Sequence, residues 1–210
     1  MMLGLIASNS RNFLVLHVQS HMAAFDTNVI AESGGGFKIN IPQNTAVVMF
    51  GTVTAGWTQN VSASLQHDGN NPGDSWSDRY YQLEGSGQGF LTVTGVAMPK
   101  VASPPPVAEG GATNLAAQPP IPASMASQGE PLINIQPSRS PRHIGLSFRA
   151  ERPTASGTQS VDSKVKWVKS KVTNYAIYFT FYAEDGGDGD NHDCTFTVSM
   201  LLAAKPNAAK

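Results

Sequence analysis

Apolar positions in this chain recur at every second residue, in short runs separated by breaks rich in glycine, proline and asparagine. Phe37, Ile39 and Ile41 share one face of Phe37–Ile41, and Pro42 then marks a sheet edge or a turn. Ala46–Val53 is a β-branched strand with Gly51 inside it, and Val61–Leu65 alternates apolar with small polar residues. Thr54–Asn60 between them reads as a loop or tight turn. Tyr80–Leu83 and Phe90–Val96 form a hairpin across Glu84–Gly89 (EGSGQG), and His67–Ser77 is dense enough in turn formers to be a loop. Leu14–Val18 and Ile144–Arg149 predict further strands. Val165–Val168, Tyr175–Tyr182 and Thr195–Leu202 carry the strongest strand signals, and Tyr175–Tyr182 (YAIYFTFY) is expected to lie centrally, buried on both faces. No segment sustains a 3.6-residue apolar period over three turns. The pattern predicts an all-β fold, an antiparallel β-sandwich of jelly-roll or Greek-key type, preferred over a barrel.

One stretch breaks the alternation. Pro99–Pro141 holds Pro104–Pro106, Pro119 and Pro120 among many Ala, Ser and Gly residues. Such a composition buries little apolar surface to offset its ordering entropy. The expected organisation is an N-terminal extension with a short strand (1–33), one sandwich domain (34–205) interrupted by a Pro-rich insertion (99–141), and a tail (206–210). The insertion is expected to be dispensable for the core.

Charge excludes some functions. With 14 Lys+Arg against 15 Asp+Glu, the chain has no broad electrostatic reason to bind nucleic acid or an anionic membrane. A 40% hydrophobic content is enough for a core. The one cysteine, Cys194, rules out an intramolecular disulfide. Met1–Ala7 lacks a basic flank, so no signal peptide is expected, and no apolar run approaches the roughly 20 residues of a membrane span, so no membrane insertion is expected either. The compartment stays open; the extracellular space and a virion surface both remain.

Catalytic signatures are missing. There is no G-x-S-x-G elbow and no P-loop. The glycines of EGSGQG precede no helix, so they read as a turn. His17 and His21 are four apart, but in a strand and loop without the glutamate of H-E-x-x-H. Lys164, Lys166, Lys169 and Lys171 beside Trp167 read as a solvated or protected strand edge. The chain is therefore not expected to be an enzyme.

The informative chemistry lies in Glu184-Asp185-Gly186-Gly187-Asp188-Gly189-Asp190-Asn191-His192-Asp193, where five carboxylates occupy ten residues between two strong strands. Two carboxylates ~5 Å apart repel by roughly 3 kcal/mol at an effective dielectric of 20. Such crowding is tolerable if the groups are exposed, protonated or neutralised by a cation. Gly186, Gly187 and Gly189 let the backbone fold so that side chains converge. Hard oxygen donors in a flexible loop suit Ca2+, which takes 6–8 oxygens, better than magnesium or zinc. The spacing is not that of an EF-hand, since Ser199 stands where position 12 requires a carboxylate. The alternative is a solvated acidic hairpin turn.

This run, followed at once by a β-branched strand, resembles the calcium loop of bacterial fucose/mannose-binding calcium lectins. Phe37–Leu65 is similar to that family's first hairpin, with Pro42, Asn44, Thr45, Thr58 and Gln59 in register. The resemblance implies Glu184, Asp188, Asp190 and Asp193 as calcium ligands and Asp185 as a sugar-hydroxyl contact. Thr54 stands at the position of an Asn ligand, and Ala55 and Gly56, followed by Trp57, stand at sugar-contacting positions. Trp57 and Trp76 can each stack on a sugar ring or plug the core. A carbohydrate partner of fucose/mannose type and a homo-oligomer are likewise implied. The expected function is calcium-dependent carbohydrate binding. The alternative is a structural or assembly protein, such as a virion component, in which calcium only braces the loop.

Overall fold

The computed structural model describes residues 26–68, 78–97, 129–186 and 193–203. Thirteen strands occupy them: β1 (Val29–Ala31), β2 (Phe37–Ile41), β3 (Thr45–Val53), β4 (Thr58–His67), β5 (Arg79–Gly85), β6 (Gly89–Phe90), β7 (Thr92–Ala97), β8 (Leu132–Ile135), β9 (Arg142–Thr154), β10 (Gly157–Asp162), β11 (Lys164–Thr173), β12 (Ala176–Glu184) and β13 (Cys194–Leu202). No helix occurs among the described residues. The first sheet runs β1-β2-β9-β4-β5-β7, with β10 on β9; the second runs β11-β12-β13-β3-β6, with β8 on β3. Every pairing is antiparallel. The expected β-sandwich is therefore observed.

The two-residue period explains which sheet faces meet. Ile39 and Ile41 of β2, Val61, Ala63 and Leu65 of β4, and Ile144, Leu146 and Phe148 of β9 point inward from the first sheet. Val47 and Met49 of β3, Phe179 and Phe181 of β12, and Phe196 and Val198 of β13 meet them from the second. Aromatic rings join the layers. Phe148 stacks on Phe181 at 5.5 Å between centroids and meets Phe196 edge-on at 6.0 Å, while Phe37 lies 5.3 Å from Phe181. Pairs of this kind add about 0.5–1.5 kcal/mol beyond their buried area. Gly51, inside β3, is required by this packing: a Cβ there would come within 2.5 Å of Leu91 and 2.9 Å of Phe196. Asn44, with φ 58°, makes the turn between β2 and β3.

Three expectations change. β12 is buried on one face only: Ile177, Phe179 and Phe181 are inside, but Tyr178, Thr180 and Tyr182 are half-buried on the outer face and Tyr175 is exposed. The Thr54–Asn60 loop is shorter than expected, since β4 begins at Thr58. The Pro-rich segment does not end as loop at residue 141. Leu132–Ile135 pairs with Val47–Phe50 of β3, and Ile133 and Ile135 are fully buried. Pro131 and Pro137 sit just outside this strand, where no ladder hydrogen bond is needed. The strand expected at Leu14–Val18, the two histidines near it and Trp76 lie outside the described residues. The lysine-bearing β11 is an edge strand, as its composition predicts.

Candidate functional site

The acidic hairpin joins β12 to β13, which pair from Ala176↔Leu201 to Ala183↔Cys194. That register brings the first and last carboxylates of the run together at the loop's base. Asp193 Oδ2 accepts a hydrogen bond of 2.8 Å from the Asp185 backbone N–H. The Gly186 N–H donates to Glu184 Oε1 at 3.3 Å. The Glu184 residue is buried, while Asp185 and Asp193 are half-buried. Asp188 and Asp190 lie outside the described residues.

The β3–β4 loop flanks the hairpin because β3 pairs with β13 up to Val53↔Cys194. The Thr54 N–H donates to the Asp193 carbonyl at 3.0 Å. Ala55 is buried, and its carbonyl accepts from Gly87 N–H at 2.9 Å. Gly56 is exposed, with open space where a Cβ would stand. Trp57 is half-buried, and the Arg152 guanidinium lies 5.6 Å above the centroid of its ring. The structure thus places Thr54, Ala55, Gly56 and Trp57 on the same end of the sandwich as Glu184, Asp185 and Asp193.

Two residues outside the expected set complete this arrangement. Gln59, buried in β4, donates its side-chain amide to Asp185 Oδ2. The same nitrogen lies 3.5 Å from the Trp57 carbonyl, so one amide ties both loops together. Arg152 arrives through the β4–β9 register, in which Thr58 faces Glu151. The Thr58-Gln59 pair is visible in the sequence as part of the motif, but the role of Arg152 has no sequence signal.

Electrostatics mark Asp185. Partial burial, then the hydrogen bond and negative charge of Asp193, push its carboxyl up from 3.8 to about 6, with Glu184 adding to the effect and the Gln59 amide opposing it. Between those two values the folded chain holds a proton that the unfolded chain has released, so raising the pH removes stability. In chelator, wild type should lose stability relative to Asp185→Asn as pH rises from about 4 to 7. Urea unfolding across that range checks this; parallel curves for the two proteins would contradict the crowding at this base. Among the described residues, no three His, Cys, Asp or Glu side chains are grouped to hold a metal ion by themselves. The donors that do converge are all oxygens. Cys194 next door is buried, and burial pushes its thiol up to about 12, which makes it a core residue and not a ligand.

Among the solved structures similar to this chain are three lectins. The C-terminal domain of the BC2L-C lectin from Burkholderia cenocepacia has a TM-score of 0.40 and 12% identity, covering 79% of this chain and 96% of that one. The high-affinity mannose-binding lectin of Ralstonia solanacearum has a TM-score of 0.40 and 14% identity, covering 82% and 100%. The Chromobacterium violaceum lectin CV2L, in complex with alpha-methyl-fucoside, has a TM-score of 0.38 and 13% identity, covering 82% and 100%. No family model and no curated protein sequence matches.

Proposed function

We propose that this chain is a non-catalytic, calcium-dependent carbohydrate-binding protein whose site is the sandwich end formed by the acidic hairpin and the Thr54–Trp57 loop. The observation that carries the reading is the convergence at Asp185. Its carboxylate is crowded by Asp193 and Glu184, held by Gln59, and set beside a loop with an aromatic ring. Such crowding favours a bound cation, and an all-oxygen donor set favours a hard one. Glu184 and Asp193 would hold it, together with Asp188 and Asp190 of the intervening loop. The ion would supply open coordination positions for sugar hydroxyls. Asp185 then accepts a hydrogen bond from a hydroxyl, and Gln59 fixes the orientation of that carboxylate. Trp57, with Arg152 over its ring, flanks the site and would add apolar contact to a sugar ring at its open edge. Protonating Asp185 at acid pH should weaken sugar binding, because the charged carboxylate is the stronger acceptor.

Calorimetric titration of the full chain with methyl α-mannoside and methyl α-fucoside, each with calcium and with chelator, tests the reading. Heat in calcium that chelator removes is the expected result. Binding unchanged in chelator, or none to either glycoside, would count against it.

A second reading, a structural or assembly role, draws on the outer face of the second sheet. Phe50, Leu132, Phe90 and Val168 are exposed there in register with Thr52, Thr180 and Thr197, and Lys166 alone brings a charge into those rows. A face with few charges and several exposed apolar side chains suits a homo-oligomer. Large assemblies by light scattering, with silent sugar titrations, would favour this reading.

A further inference from the structure

The outer face of the first sheet carries a polar trough of about 300 Å3, bounded by Asn60, Ser62, Gln82, Ser147, Arg149 and Glu151. Registers explain its shape. Ser62 faces Ser147 on β9 and Gln82 on β5, so short side chains form the floor of one row. In the next row Asn60 faces Arg149, and Arg149 faces Asp162 of β10, which supplies a long wall. Glu151 and its register partner Ser160 close the end. The walls are held in place: Gln82 Nε2 donates to Ser62 Oγ at 2.9 Å, and Arg149 Nε donates to Asp162 Oδ1 at 3.1 Å. On the other side of the floor, Ser64 faces Gly145 and Tyr80 in the next row.

We propose that this trough is a second binding site, for a neutral polyhydroxylated ligand such as one ring of an uncharged oligosaccharide. Its charge decides the class. The lining carries one cation, Arg149, already paired with Asp162, and one anion, Glu151, so it offers no free cation to an anionic ligand, while Glu151 offers acceptor oxygens to hydroxyls. Amides, hydroxyls, a guanidinium and a carboxylate instead offer donors and acceptors in mixture, which matches hydroxyl groups that both donate and accept. The volume lies at the lower end of small-molecule sites, which suits one ring and not a long chain. The site is separate from the acidic hairpin, because Asn60 and Ser62 point outward from β4 while Gln59 points inward to Asp185.

The test is an amide-resonance titration of the isotopically labelled full chain in chelator, so that the hairpin reading is not engaged. The probes are cellotriose, maltotriose, mannotriose and tri-galacturonate. At least one neutral trisaccharide should shift the Ser62, Ser147 and Arg149 resonances saturably. Ser147→Trp, which fills the floor with a residue suited to an exposed strand, should abolish that shift. Ser160→Trp at the rim should weaken it, and serves if the first variant fails to fold. No response to any neutral trisaccharide, a response only to tri-galacturonate, or shifts unchanged in folded variants would each overturn the proposal.

Discussion

Removing residues 99–141 should yield a chain that does not fold, whereas removing 99–128 should leave a cooperative transition. The difference lies in β8. Ile133 and Ile135 have no exposed surface and sit against Val47 and Met49 of β3. Truncating one such side chain to alanine costs about 2–5 kcal/mol, and the larger deletion removes two together with a strand pairing. It also strips a partner from Arg142. This buried arginine donates to the Gln136 carbonyl at 2.7 Å and to the Thr45 carbonyl at 3.4 Å, and burial already disfavours its charge. Leaving a buried charge short of a partner adds several kcal/mol of cost. The sum reaches the whole stability of an ordinary domain, about 5–15 kcal/mol. Circular dichroism and urea melts of the two deletions decide it. A folded 99–141 deletion would show that β8 is replaceable; an unfolded 99–128 deletion would show that the remainder of the segment supports the core.

This case shows where composition misleads. The strands read from the sequence are those whose inward residues are large and regularly spaced, such as Phe37–Ile41, Ala46–Val53 and Thr195–Leu202. β8 is four residues between two prolines, so its alternation is lost in the surrounding Pro- and Ala-rich background. β10 carries no strand signal in the sequence for the opposite reason. Five of its six residues are exposed, because it extends the β9 hairpin beyond the core, and no inward face imposes a period. Tyr175–Tyr182 looked buried on both faces because aromatic and β-branched residues suit an exposed sheet surface as well as an interior.

The candidate site was legible where it is local. Acidic residues at the two ends of a ten-residue run on one hairpin must meet at its base once β12 and β13 pair, and Asp185 and Asp193 do. What depended on register between distant segments was not legible. Gln59 reaches Asp185 across 126 residues of sequence, and Arg152 reaches Trp57 only because Thr58 pairs with Glu151. A spacing motif holds no information about such contacts until the strand order is known.

The acidic hairpin makes the last prediction. Asp190→Ala should abolish the stabilisation that calcium gives the wild type. An ion bound only by the folded chain stabilises it by RT ln(1 + [L]/Kd), about 2.7 kcal/mol at a hundredfold excess over Kd. Asp190 lies in sequence between Asp188 and Asp193, so in the proposed calcium site its loss would remove one of the donor carboxylates. In chelator the sign should reverse or vanish, because removing one of five crowded anions relieves repulsion. Asp185→Asn provides the contrast. Asp185 is held by Gln59 and assigned to the sugar, so this variant should keep most of the calcium response while losing the glycoside heat. Thermal melts of the three proteins, each with calcium and with chelator, separate the cases. A solvated acidic turn predicts midpoints that calcium does not move in any of them. That result would remove calcium from the site and with it the proposed mode of sugar binding, while leaving the sandwich and the contacts at Asp185 as they stand.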